Sequence, residues 1–163
     1  MGGRPGQEVS TLVLGIGNLL KKDDGIGIHI LNILDGMDLP EGVGLLDGGT
    51  AGIDIVPYLE NIRRLIIVDA LLADGAPGEI RIIQDGEIPA HGGLLAGHSG
   101  GIEDILDMAA ALWNRPETTV VGVIPADCES YEIGLSPELS GIVLKAADII
   151  IGMVGGAKSA SVI

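Results

Sequence analysis

The chain has 163 residues, 47% of them hydrophobic, which favours one domain with a sizeable core. With no Phe, one Trp and two Tyr, that core has to be aliphatic. A formal net charge of −14 sets the chain against nucleic acid and anionic membrane surfaces, and a single cysteine, Cys128, excludes an internal disulfide.

The opening residues "MGGRPGQEVS" lack the apolar core of a signal peptide and the Ser or Thr at position six that favours myristoylation. The most apolar segment, residues 141–154, is short and interrupted by Lys145 and Asp148. A soluble, cytoplasmic protein is expected, with one domain over residues 11–157 and tails at 1–10 and 158–163. "STLVLGIG" is a short apolar run ending in glycines, the pattern of a buried strand. "DGIGIHILNILDGM" carries Ile26, Ile30, Ile33 and Leu34 at helical spacing, opened by acids and closed near Gly36. "VGLLDGG" reads as a second strand and "RRLIIVDAL" as a third. Between them "AGIDIVPYLENI" reads as a short helix in which Pro57 marks a kink or a late start. "PGEIRIIQDGEI" alternates Ile80 and Ile82 with Glu79 and Arg81, as an antiparallel edge strand with one wet face does. After the glycine-rich "PAHGGLLAGHSGG" come an amphipathic helix, "IEDILDMAAALWN", and a buried strand, "TTVVGVIP", stopped by Pro125. The last helix, "SPELSGIVLKAADIIIGMV", has a Ser-Pro start. Strands alternating with helices predict an α/β three-layer sandwich: a twisted, mostly parallel sheet of about five strands, one edge strand antiparallel, flanked by helices.

Ligands of open parallel sheets bind at the carboxyl ends of the strands. There the sequence places Asp23 and Asp24 after the first strand, Asp47, Gly48, Gly49 and Thr50 after the second, and Asp69 at the end of the third. His98 comes from the glycine-rich loop, with His91 as its weaker rival. Each has a plainer reading. One of Asp23 and Asp24 is equally well a helix cap, Asp47 a turn residue, and His98, taken alone, an ordinary loop histidine. Asp69 is harder to set aside. It closes the run Leu65-Ile66-Ile67-Val68, where an unpaired charge is costly, so a cation or hydrogen-bond donors are expected beside it. His29 is assigned to a solvated helix face, Lys21 and Lys22 to the surface, and Cys128 to an inert buried thiol. The first loop fails two phosphate templates. The pattern G-x-G-x-x-G needs glycine where Leu20 stands, and no Gly-Lys-Ser/Thr follows. Two carboxylates and an imidazole instead form a transition-metal set with open coordination positions, the metal itself being undetermined.

In order, "LGIGNLLKKDDGIG", "LLDGGTAG", "LIIVDAL" and "GVIP" followed by "IGLSPEL" resemble the nickel–iron hydrogenase maturation proteases, over residues 11–154. These endopeptidases remove a C-terminal extension from the hydrogenase large subunit. The resemblance implies a twisted, mostly parallel sheet flanked by helices, metal recognition by Asp24, Asp69 and His98, and an Asp-Gly-Gly motif at Asp47, Gly48 and Gly49. Where many members carry Ser-Pro-His, this chain has Ala96-Gly97-His98. The resemblance also implies that the nickel belongs to the large-subunit precursor and is no permanent cofactor, and that the protein is a monomer. On that basis Asp47 is the expected general base and the Gly48 and Gly49 amides the expected oxyanion donors, with a nickel-polarised water or carbonyl as the alternative to the base. Two rivals stand beside this reading. A phosphoacceptor receiver domain would use Asp23, Asp24 and Asp69 around magnesium, but "VVGVIPAD" lacks the lysine it needs. The other is a non-catalytic nickel chaperone.

Overall fold

The computed structural model describes residues 8–88 and 102–155. His91 and His98, with the glycine-rich stretch around them, lie outside the described residues, as do the expected tail 158–163 and most of the first. The elements are β1 (Thr11–Ile16), α1 (Ile26–Asp35), β2 (Val43–Gly49), β3 (Arg64–Ala70), β4 (Ile80–Gln84), α2 (Ile102–Leu112), β5 (Glu117–Val123) and α3 (Ile142–Gly155), joined in part by short 3-10 turns. The strands form one sheet in the order β2-β1-β3-β5-β4. Its first four strands pair in parallel, and β4 is antiparallel to β5 at the edge, as its alternating sequence predicts.

Apolar side chains on the inner strands point to both faces because both faces are covered. Val13, Ile66, Val68, Val121 and Val123 pack under α1 and α3. Leu12, Leu14, Ile16, Leu65, Ile67 and Val120 pack under α2 and the segment Gly52–Leu59. That segment is a 3-10 helix throughout. Pro57 inside it has no N–H to give to an α-type bond, and its ring obstructs the carbonyl four residues back, which accounts for the departure from an ordinary helix. The Ser-Pro start likewise forms a separate 3-10 turn, Pro137–Leu139, and α3 begins only at Ile142, beyond Gly141. Among the described residues no helix is long and apolar enough to cross a membrane.

The strand order positions the site. The chain leaves β1 toward β2 on one side and returns to β3 on the other, so the connections diverge between β1 and β3. That switch point is where an open sheet leaves a crevice at its carboxyl edge. Helix α1 is drawn hard against it. A Cβ on Gly27 would lie 2.2 Å from the Val68 carbonyl oxygen and 2.3 Å from that of Ile16, so only glycine permits the approach.

Candidate functional site

The first loop doubles back as it leaves β1. Gly17 has φ +136°, and a Cβ there would lie 1.9 Å from the Asp24 carbonyl oxygen. The loop then forms the 3-10 turn Lys22–Gly25, packed against β3. The residue capping α1 is Gly25, and no side chain caps the helix. The capping role considered for Asp23 or Asp24 is therefore filled by neither. Both are buried, at 0% and 2% exposure, and they reach in different directions. Asp24 turns back on its own loop, where Oδ2 accepts the Asn18 N–H at 2.8 Å. Asp23 reaches across to the segment after β5. Its Oδ2 accepts the N–H groups of Ala126 and Asp127, each at 2.9 Å, and its Oδ1 accepts the Ser136 N–H at 2.6 Å. Two adjacent acids thus do separate work: Asp23 fastens two loops together and Asp24 stays beside the crevice.

Asp69, at the end of β3, is 0% exposed. Its Oδ1 accepts the Ala70 N–H at 2.6 Å. Burial pushes its carboxyl well above the ordinary range, the Ala70 bond offsets part of that, and the charge of Asp24 pushes it further up. A carboxylate so placed gains from a neighbouring cation. Asp24, in the turn that follows β1, and Asp69, at the end of β3, come from the chain on the two sides of the switch point, where β1 and β3 run side by side.

Asp47 differs from both. It is exposed, and its Oδ1 accepts the Gly49 N–H at 2.9 Å, so the turn reading of this residue describes its local geometry. The β1–β2 register slips here: Gly15 faces Asp47, but Ile16 faces Gly49. Gly48 is the extra residue of this bulge, and Gly49, at φ +47°, gives its carbonyl to the Gly17 N–H at 2.9 Å. The Asp-Gly-Gly turn is thereby fixed to the first loop. Of the two amides expected to receive an oxyanion, that of Gly49 already donates to Asp47.

Three sequence expectations are corrected. Lys21 and Lys22 are half-buried. Lys22 sits at φ +48° and gives its N–H to the Glu132 carbonyl at 2.8 Å, while Nζ lies 3.5 Å from Asp127 and 3.3 Å from Glu132. Lys21 Nζ stands 5.9 Å from the ring centre of Tyr131. Segment-to-segment pairing, absent from any local pattern, draws both lysines inward. His29 is half-buried instead of solvated. Its Nε2 is buried with no hydrogen-bond partner among the described residues, and burial lowers its pKa. Cys128 is half-buried, and it belongs to the neighbourhood of the acids. Burial first, and then the charges of Asp24, Asp23, Asp69 and Asp127, push its thiol up to about 12. It is held as a thiol, which suits no nucleophile at neutral pH. Its position just past the carboxyl end of β5 was the one signal for that placement.

Among the described residues no three His, Cys, Asp or Glu side chains are grouped to hold a metal ion. The described part of the expected ligand set is the pair Asp24 and Asp69; His98, its third member, lies outside the described residues.

Comparison with known proteins gives the family. The family described as hydrogenase maturation protease matches residues 28–153. The hydrogenase expression/formation protein HupM of Azotobacter chroococcum mcd 1 is 38% identical over 130 residues, 77% of this chain and 62% of that protein, so the chain spans about three-fifths of that longer relative. The hydrogenase 2 maturation protease of Escherichia coli (strain K12) is 37% identical over 144 residues, 86% of this chain and 87% of that one. Among solved structures, the hydrogenase maturating endopeptidase HybD from E. coli superposes with a TM-score of 0.81 at 33% identity, covering 92% of this chain and 94% of its own. The chain belongs to the hydrogenase maturation protease family.

Proposed function

We propose that the chain is a cytoplasmic, monomeric endopeptidase that removes the C-terminal extension of a nickel–iron hydrogenase large-subunit precursor after nickel has been installed. The observation that carries this reading is the pair of buried acids, Asp24 in the turn after β1 and Asp69 at the end of β3, at the β1/β3 switch point. Support for peptide hydrolysis comes from the maturation protease and endopeptidase relatives.

In this reading nickel arrives as part of the substrate. Asp24, Asp69 and His98 approach it from the protein side, and the precursor's own thiolates hold the other side. Burial raises Asp69, so its ionised form gains from a cation brought beside it, and in this reading the acids favour the loaded precursor over the empty one. Asp47 is the general base. Its exposed carboxylate, oriented by the Gly49 N–H, takes a proton from the water that attacks the scissile carbonyl. The amide of Gly48, the extra residue of the neighbouring bulge, is the oxyanion donor in this reading, and it has to turn from the strand ladder to act. The C–N bond then breaks and the proton passes to the leaving amine. Cys128, held as a thiol, forms no acyl-enzyme.

The test is incubation of the chain with purified, nickel-loaded precursor, read by mass spectrometry. Loss of one C-terminal peptide is expected, and an intact precursor refutes the reading. Asp47→Asn is expected to bind precursor and leave it uncut; full cleavage by that variant removes Asp47 from the mechanism. Tight nickel binding without substrate, together with no cleavage, favours the chaperone reading.

A further inference from the structure

Tyr131 and Ile133 are 83% and 79% exposed, more than any other large apolar side chain among the described residues. Single exposed apolar residues are ordinary on a surface. These two are unusual in how the segment that carries them is held. Asp23 is fully buried, and the three N–H groups whose bonds its carboxylate accepts belong to the two ends of that segment, Ala126 and Asp127 at one end and Ser136 at the other. Lys22 adopts a left-handed backbone in giving its N–H to Glu132, between the two exposed residues. Its ammonium pairs with Asp127 and Glu132, and Lys21 faces the Tyr131 ring. Such anchoring gives a surface loop a fixed shape before it meets anything, which lowers the ordering cost of binding.

We propose that residues 125–135 form a docking arm that grips the precursor polypeptide beside the scissile bond, with Tyr131 and Ile133 as anchors for an apolar, basic stretch of that substrate. This rests on the protease reading, because the arm is tied to Asp23, the neighbour of Asp24 in the chain. Leu20, next in sequence to the Lys21 that faces the Tyr131 ring, is a third exposed apolar side chain. The charge of the arm selects the partner. It carries Asp127, Glu129 and Glu132 and no basic residue, and Lys22 is already occupied by two of these acids. An acidic segment would be repelled, and one that alternates apolar with Lys or Arg side chains would be steered in. Exposed tyrosine on a pre-formed loop is the kind of residue that dominates binding energy at such contacts.

The experiment is steady-state cleavage of nickel-loaded precursor by the wild-type chain, by the double variant Tyr131→Ser/Ile133→Ser, and by Glu129→Lys. All three should share one urea midpoint, since the substituted side chains are exposed. The double variant is expected to raise KM about tenfold or more with kcat nearly unchanged. Glu129→Lys is expected to raise KM at low salt and less so at high salt. An unchanged KM in the double variant overturns the docking arm while leaving the protease reading in place. A wild-type chain that does not cut overturns the protease reading itself. A wild-type chain that sediments as a dimer, with a monomeric double variant of normal KM, assigns the surface to self-association and also overturns the arm.

Discussion

Replacing Asp23 by alanine is expected to loosen the protein more than any other single acid removed from the site. The carboxylate holds three backbone N–H groups at 2.6 to 2.9 Å. Ser136 is buried, so its N–H is left without an acceptor, at a cost of about 2–3 kcal/mol. Ala126 is exposed and Asp127 half-buried, so water can replace the carboxylate there, and each lost bond costs roughly 0.5–1 kcal/mol. The sum is about 3–5 kcal/mol, roughly 10 °C in Tm for a domain of this length. Asparagine keeps an acceptor on one side but turns an NH2 group toward the N–H groups on the other, so Asp23→Asn is expected to lose about half as much. Urea denaturation measures both. Amide hydrogen exchange adds a local reading, in which Ala126, Asp127 and Ser136 should lose protection before the strands do. An Asp23→Ala unfolding free energy within about 0.5 kcal/mol of wild type would refute the assignment of Asp23 as the tie between the loops.

Other substitutions address the crevice. Gly17→Ala places a Cβ on the Asp24 carbonyl and forces φ +136° on an alanine, so a loss of about 2 kcal/mol or more is expected in denaturation, with cleavage lost as Asp24 shifts. Asp69→Asn is expected to raise Tm at neutral pH and abolish cleavage. Because the folded pKa of Asp69 lies above its unfolded value, the unfolded chain gives up this proton first as pH rises, and stability falls from the ordinary aspartate range up to the raised folded pKa. The variant should lack that fall in a Tm-versus-pH series. Cys128, with a thiol near 12 against an ordinary 9.0, should react with iodoacetamide at neutral pH roughly 30- to 100-fold more slowly than a free cysteine, the smaller thiolate fraction being partly offset by its greater nucleophilicity, and at the ordinary rate once unfolded in urea.

Much of this site was legible because its residues end apolar runs. Asp69 closes a run of four aliphatic residues, and Asp47 precedes two glycines at the end of another, so strand periodicity alone carried both to one edge of the sheet. The alternation of Ile80 and Ile82 with charged neighbours likewise marked the wet edge strand that β4 is. Residues whose partners lie a hundred positions away were not legible. Asp23 and Asp24 look alike in sequence, and only the return of residues 126–136 tells which is structural. The same return buries half of Lys22. The bulge at Gly48 depends on the register of β1 against β2, which no property of "LLDGGTAG" fixes by itself. His29 was misassigned because a helical wheel shows which face is apolar but not how closely that helix, brought in by Gly27, is pressed on the sheet.

The central claim is that acids at the switch point read a cation carried by the substrate. Its most direct measurement is the cleavage rate of one precursor preparation, divided into nickel-loaded and nickel-free halves and treated with the same enzyme. The account predicts that the loaded half is cut and the empty half stays intact until nickel is supplied. Equal rates on the two halves would contradict it.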